Sequence, residues 1–99
     1  MINYIFSNRA VEDISDIWNY TFDVWSELQA EKYYNLLIES CQELGVGKVS
    51  GKHYSEIDNE IFGFRVGQHI IFYRTLKKGK VEIVRILHSS MDLKNRISE

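Results

Sequence analysis

The stretch "IFGFRVGQHIIFYRTLKKGKVEIVRILH", residues 61–88, decides the fold. It contains three runs rich in β-branched and aromatic residues, "IFGFRV", "HIIFYRTL" and "KVEIVRILH", which is the composition of strands. The joins, at residues 67–68 and 77–79, are short and each contains a glycine, which readily takes the positive φ of tight turns. Turns this short return the chain beside itself in the opposite direction. The stretch therefore predicts three consecutive antiparallel strands.

The sequence before these strands has a helical pattern. Residues 2–6, "INYIF", alternate as a short strand, and Ser7 can then cap a helix by accepting a bond from a free backbone amide. Ser26 opens a second helix through the capping box "SELQ", and Gly45 is a suitable helix end. Each helix has an apolar stripe at steps of three and four: Ala10, Val11, Ile14, Ile17, Trp18, Thr21, Phe22 and Trp25, then Ala30, Tyr33, Tyr34, Leu37, Cys41 and Leu44. The short join predicts a helical hairpin.

The order of elements is therefore β-α-α-β-β-β-α, ending in "HSSMDLKNRISE", a short helix that Ser89 or Ser90 can cap. A helical hairpin packed on one face of a small antiparallel sheet is an α+β fold. Neither half could bury a core alone, so residues 1–99 are expected to form a single domain. The first strand can close against the last one, which leaves the opposite sheet face to the terminal segment or to a partner. We expect both tryptophans in the core, with partner contact as an alternative for Trp25.

Composition excludes several classes of protein. The net charge of −2 argues against a dedicated nucleic-acid binder, although residues 1–47 carry −6 and residues 48–99 carry +4. No apolar run approaches the roughly 20 residues that span a bilayer, so we expect no membrane segment. The first residues lack the pattern of a secretion signal, and the single Cys41 excludes an internal disulfide. We therefore expect a cytoplasmic protein with an inert, buried thiol.

The sequence carries no familiar catalytic or metal-binding motif. His53, His69 and His88 show no ligand spacing, so no metal or cofactor is expected. One enzymatic hypothesis is metal-free RNA cleavage, which needs a base, an acid and cations. The residue types for it are present on the strands: Arg65, Tyr73, Arg74, Arg85 and His88. Whether Arg65 and Arg85 share a face depends on strand register, and Arg85 could equally pair with a carboxylate such as Glu60 or Asp92.

The chain resembles the ParE branch of the RelE/ParE superfamily, the small toxins of bacterial toxin–antitoxin operons. The resemblance runs nearly end to end and is most specific in "FRVGQHIIFYR" and "VRILHSSMD", which follow a helical hairpin in the right order. The residues that carry it are Ser7, Ala10 through Ile14, Ile17, Tyr20, Trp25, Gln29, Ala30, Tyr33, Arg65, His69, Ile70, Phe72, Tyr73, Arg74, Ile83, Arg85, Ile86, Leu87, His88, Met91 and Asp92.

This resemblance implies a cytoplasmic toxin that poisons DNA gyrase by protein binding and has no catalytic residues. It also implies neutralisation by a ParD-like antitoxin that lays an amphipathic C-terminal tail over the toxin. Candidate target contacts are Arg65, Arg74, Arg85, His88, Asp92, Lys94 and Arg96. Candidate antitoxin contacts are Trp25, Tyr33, Phe64, Tyr73 and Met91.

Two alternatives accompany this interpretation. The first is a RelE-like, ribosome-dependent mRNA endonuclease that uses Arg65, Arg85 and His88. The acidic second helix, with Lys32 against four glutamates in residues 26–44, disfavours it because like charges repel RNA. The second is an inactive toxin-like binding domain. The loop after the second helix also departs from the family, because "GVGKVSGK" keeps Gly51 but lacks the usual proline.

Overall fold

A computed structural model describes residues 3–97 of the chain. The elements are β1 (Tyr4–Phe6), α1 (Asn8–Val24), α2 (Glu27–Gly45), β2 (Lys52–His53), β3 (Phe62–Val66), β4 (His69–Thr75), β5 (Val81–His88) and α3 (Leu93–Ile97). The predicted α+β class is confirmed, and the element order gains the two-residue β2 within the expected loop and a 3-10 turn at Lys77–Gly79. Three predicted element residues, Ile2 of the first strand and Ser98 and Glu99 of the last helix, lie outside the described residues.

The five strands form one sheet in the order β1-β5-β4-β3-β2. The antiparallel β3–β4–β5 meander and the pairing of β1 with β5 are as predicted, but β1 runs parallel to β5. The expectation of a wholly antiparallel sheet was therefore wrong, and the sheet is mixed. The helical hairpin is the reason: α1 continues along the direction of β1, and α2 returns to the start of β1, where Gly45 lies against Asn3. The strand β3 begins again from that end and β4 reverses its direction, so β5 runs the same way as β1.

Both predicted helix starts are confirmed. The Ser7 hydroxyl accepts a bond from the Ala10 amide, and the Ser26 hydroxyl accepts one from the Gln29 amide, each at 3.0 Å. Gly45 ends α2 for a different reason from the one expected. Glycine is needed there because α2 and the backbone of Asn3 approach closely, and a Cβ at residue 45 would lie 2.9 Å from the backbone oxygen of Asn3.

The helical stripes bury only part of their residues. Ala10, Ile14 and Thr21 are buried in α1, whereas Trp25 is 72% exposed at the hairpin, so its expected place in the core was wrong. In α2 the buried positions include Cys41, as expected, and burial raises the pKa of its thiol to about 12. Among the remaining stripe residues, Val11, Phe22 and Tyr34 are exposed, whereas Ile17 and Tyr33 are partly buried against the core.

Strand alternation divides the apolar residues between two clusters. The larger cluster lies between the sheet and the hairpin and includes Ile71 and Ile83. The smaller lies on the opposite face, where Ile70 and Phe72 are covered by α3 and by the loop from Tyr54 to Ile61. The predicted cover by the terminal segment is therefore confirmed, and the loop shares it.

Candidate partner-binding groove

Three adjoining cavities form one open surface between the hairpin tip, the end of β5 and α3. They have volumes of about 500, 420 and 170 Å³, and His69 and His88 line all three. We call this surface the histidine groove; its principal side chains are Ile17, Tyr20, Trp25, Tyr33, His69, His88 and Met91. Most of these side chains are aromatic or apolar, so the groove is suited to burying apolar surface of another molecule.

His69 and His88 are cross-strand neighbours at the floor of the groove. Their ring centroids are 5.3 Å apart, edge to face. The Tyr33 hydroxyl lies 2.7 Å from His69 Nδ1, and His88 Nδ1 accepts bonds from the backbone amide (3.1 Å) and hydroxyl (2.7 Å) of Ser90. Burial, together with the neighbouring His88, lowers the pKa of His69 to about 4, despite an opposing effect of Asp13. His69 is therefore uncharged at neutral pH.

Arg85 is held in place by a helix residue that the sequence analysis did not single out. Its Nε and Nη2 donate to the two carboxylate oxygens of Asp13 at 2.7 and 3.0 Å, and its Nη1 donates to the backbone oxygen of Arg96 at 2.6 Å. Asp13 also accepts a bond from the Ile86 amide at 2.9 Å. Neither Glu60 nor Asp92 is thus the partner of Arg85, and the Asp13 side chain is mostly buried.

Asp13 accepts a hydrogen bond from the edge of β5 beyond the part that pairs with β1. The pairing of β1 ends at Ile83, and Ser7 then continues along the edge by bonding the backbone oxygens of Ile83 and Val84. Asp13 follows at the Ile86 amide. The start of α1 therefore replaces a strand with side-chain and backbone bonds, so that buried backbone groups find partners.

Strand register separates the residues of the ribonuclease hypothesis. Arg65 pairs with Ile70, Arg85 pairs with Phe72, and both arginines lie on the sheet face opposite the hairpin. His88 pairs with His69 and lies on the hairpin face. By strand spacing the Cα atoms of Arg65 and Arg85 are roughly 12 Å apart, with apolar side chains between them. Arg65 therefore lies outside the cavity of about 170 Å³ that Arg85 and His88 both line, and within that cavity the Arg85 side chain is held by Asp13.

The predicted target contacts are distributed over two surfaces. Arg65 is exposed and donates a bond to the Gly67 oxygen at the turn between β3 and β4. Arg74 forms an exposed ion pair with Glu82 near the opposite end of β4. Asp92, Lys94 and Arg96 are exposed at α3. The residue just before this helix is Asp92 and not the predicted Ser89 or Ser90, and its side chain accepts a bond from the side chain of Asn95. Arg85 is buried, and His88 is partly exposed within the histidine groove.

The predicted antitoxin contacts divide in the same way. Trp25 and Met91, 72% and 41% exposed, line the histidine groove together with the half-buried Tyr33. Phe64 is half-buried against the larger core. Tyr73 is buried, and its hydroxyl accepts a bond from the Gly51 amide, which gives this loop glycine a structural role.

Sequence reasoning did not assign a role to Asp13 or to His69. The turn at residues 77–79 signals that β4 and β5 pair, but counting outward from it places His69 opposite Leu87, because a β-bulge between Phe72 and Tyr73 shifts the register by one residue. Asp13 gives no such signal, since its contact with Arg85 spans 72 residues. Only the packing of α1 against β5 creates it.

Among residues 3–97, no cluster of three or more His, Cys, Asp or Glu side chains is arranged to hold a metal ion. In the same range, none of the helices combines the length and apolarity needed to cross a bilayer.

The fold and the histidine groove define a small α+β domain that offers a largely apolar binding surface. The profile described as "ParE toxin of type II toxin-antitoxin system, parDE" matches residues 4–93. The chain is 31% identical over 90 residues to Toxin ParE1 of Mycobacterium tuberculosis, covering 91% of this chain and 92% of the relative. It is 34% identical over 92 residues to Toxin ParE1 of Caulobacter vibrioides, covering 90% and 91%. The chain belongs to the ParE toxin family of type II toxin–antitoxin systems.

The fold agrees with this family. A solved structure described as "Chromosomal ParDE TA system from P. aeruginosa" superimposes with a TM-score of 0.72 at 17% identity, covering 89% of this chain and 96% of that one. Toxin ParE of Escherichia coli is 28% identical over 99 residues, covering all of this chain and 96% of the relative. The predicted membership and the toxin–antitoxin class are thereby confirmed.

Proposed function

We propose that this toxin acts in the cytoplasm, inhibits DNA gyrase by non-covalent binding, and is neutralised by a ParD-like antitoxin whose amphipathic C-terminal tail occupies the histidine groove. The observation that carries the proposal is the contrast between two sets of groups. The groove offers exposed apolar side chains to a partner, whereas Arg85, the central cation of any RNA-cleaving site, is 7% exposed and held by Asp13. Such an arrangement favours protein binding over phosphate chemistry.

The antitoxin part rests on the shape and composition of the groove. Trp25 stands at one end and Met91 at the other, with the exposed Tyr20 between them. An amphipathic helix or extended tail that folds on binding can bury such a row of side chains, because each apolar contact offsets part of the ordering cost. Phe64 and Tyr73 support the core behind this surface.

The gyrase part rests on family membership and on the exposed charges outside the groove. Arg65, Arg74, Lys94 and Arg96 present cations on the sheet hairpin and α3, and Asp92 lies beside the latter. We assign the target contacts to these exposed residues, with Arg85 supporting α3 through the Arg96 carbonyl.

Parallel assays test the target. Purified toxin is added to gyrase supercoiling and cleavage-complex assays and to a ribosome-dependent mRNA cleavage assay. We expect gyrase inhibition without mRNA cleavage, and we expect the variant R65A/K94A/R96A to lose it while retaining antitoxin binding. Cleavage of mRNA without an effect on gyrase would overturn the proposal. Inactivity in both assays, combined with tight antitoxin binding, would identify a toxin-like binding domain instead.

A separate titration tests the antitoxin surface. Trp25→Ala is expected to weaken binding of the antitoxin encoded beside the toxin gene by about tenfold or more, because exposed tryptophans that become buried dominate many interfaces. The control is Val46→Ala, which truncates a similarly exposed side chain just after α2, away from the groove. Equal affinities of the two variants would show that the antitoxin binds elsewhere.

A further inference from the structure

The hydrogen bonds around the two histidines at the floor of the histidine groove favour opposite tautomers. The Tyr33 hydroxyl has one hydrogen, and the Val66 oxygen, 3.1 Å away, can only accept it. When the Tyr33 hydrogen is donated to Val66, the Tyr33 oxygen is left to accept from His69 Nδ1, 2.7 Å away, and this arrangement places the hydrogen of His69 on Nδ1. In His88, Nδ1 accepts from the Ser90 amide, which places the hydrogen of the neutral ring on Nε2.

The remaining ring nitrogens therefore form a complementary pair. His69 Nε2 carries a bare lone pair and His88 Nε2 carries a hydrogen. Within residues 3–97 neither Nε2 has a hydrogen-bond partner, and no buried side-chain nitrogen or oxygen is left without one, so both atoms are open to the groove. One acceptor and one donor thus belong to neighbouring rings, whose centroids are 5.3 Å apart, in an otherwise largely apolar surface.

We infer that this pair determines specificity by binding a neutral side-chain carboxamide, of Asn or Gln, in the tail of the antitoxin. The inference rests on the proposed function. A carboxamide carries one acceptor oxygen and one donor nitrogen on the same carbon, so it can satisfy both rings at once. Neither a purely apolar side chain nor a singly matched polar group can do so, and each leaves a ring nitrogen desolvated and unpaired.

Charged groups fit this position less well. A carboxylate has only acceptors, which would face the lone pair of His69 and the nearby carboxylates of Asp13 and Asp16. An ammonium has only donors, which would face the N–H of His88 and leave that N–H without an acceptor. A neutral group with both functions avoids each conflict, and a polar pair that rejects mismatched partners is a recognised source of binding specificity.

The tautomers are tested on the toxin alone. Nitrogen NMR of ¹⁵N-histidine-labelled toxin at neutral pH distinguishes a protonated from a bare ring nitrogen at each position. We expect His69 protonated at Nδ1 and His88 protonated at Nε2. The same tautomer in both rings, or the reverse assignment, would overturn the inference whatever the antitoxin does.

The recognition step is tested with paired substitutions against the antitoxin encoded beside the toxin gene. Asn can replace the Nδ1 atom of a histidine but not Nε2, whereas Gln reaches the Nε2 position. We therefore expect His88→Asn to weaken binding about tenfold or more and His88→Gln less than threefold, with the same contrast at His69. His53→Asn, on β2 and away from the groove, is the control and should bind normally.

Substitution in the tail completes the test. Each Asn or Gln of the antitoxin tail is replaced by Leu, and one of them should weaken binding of wild-type toxin about tenfold but have little effect on the His88→Asn toxin. Equal binding by all histidine variants, or no coupled carboxamide in the tail, would overturn the inference alone. Failure of wild-type toxin to bind the antitoxin would instead overturn the proposed function and this inference with it.

Discussion

Asp13 provides the sharpest test of how this fold is held together. It lies at the junction of α1 and β5 and accepts three bonds: two from Arg85, at 2.7 and 3.0 Å, and one from the Ile86 amide, at 2.9 Å. The two charged side chains are only 12% and 9% exposed. We predict that Asp13→Asn, which preserves shape but removes the charge, strongly destabilises the protein.

The magnitude follows from what the substitution leaves behind. Removing one member of a buried ion pair typically costs about 3–5 kcal/mol, because the other charge stays desolvated without that partner. The carbonyl of Arg96 still accepts one bond from Arg85, so we expect about 3 kcal/mol at Asp13. For a domain of this size, that corresponds to a fall of roughly 12–24 °C in Tm.

Urea and thermal unfolding followed by circular dichroism measure the effect. The matched control is Asp16→Asn, an exposed carboxylate on the same helix that should change stability by less than about 0.5 kcal/mol. In a double-mutant cycle, Arg85→Met should cost much less in the Asp13→Asn background than in the wild type. Equal stability of the two aspartate variants, or additive effects in the cycle, would refute the role assigned to Asp13.

Three further predictions concern stability. Lys78 has a φ of 63°, so Lys78→Gly should stabilise the protein by about 1 kcal/mol. Lys77→Gly, at a position with negative φ, should destabilise it, and the denaturant midpoints of the two variants measure these opposite changes. Gly45→Ala should lower stability by about 1–3 kcal/mol, the reverse of the usual helical preference for alanine, because the new Cβ meets the Asn3 backbone; an increase in Tm would contradict this packing. Folding lowers the pKa of His69 from 6.5 to about 4, so between these pH values the histidine is protonated in the unfolded chain but not in the folded chain. Stability should therefore decline as pH drops from 6.5 towards 4. The partly open ring limits this loss to about 1–2 kcal/mol, and a His69→Gln variant with an unchanged pH slope would contradict it.

Local signals in the sequence were sufficient for the elements and their order. Ser7 and Ser26 cap the helices as predicted because a hydroxyl and a free amide three residues later need nothing else from the fold. The turn glycines are also predictable from the local sequence, since Gly67 and Gly79 have the positive φ values, 57° and 74°, that were expected at the tight turns. Family-specific residues near both ends of the strand region then sufficed to identify the toxin family.

Side-chain placement at the site depended on contacts distant in the chain. The exposure of Trp25 could not be read from its position on an apolar stripe, because the helix ends at Val24 and Trp25 lies in the hairpin turn. Register decided that Arg65 and Arg85 share one face while His88 lies on the other. Arg65 is thereby kept out of the groove that His88 lines.

The sequence by itself therefore determined the secondary structure, the fold class and the family, because capping, turn geometry and hydrophobic period act over a few residues. Only the tertiary structure decided that Asp13 holds Arg85, that β1 runs parallel to β5, and that His69 stands beside His88. Each of these depends on how the helical hairpin returns the chain to the sheet. Contacts between residues tens of positions apart leave no local pattern, because they are selected by the packing of whole elements.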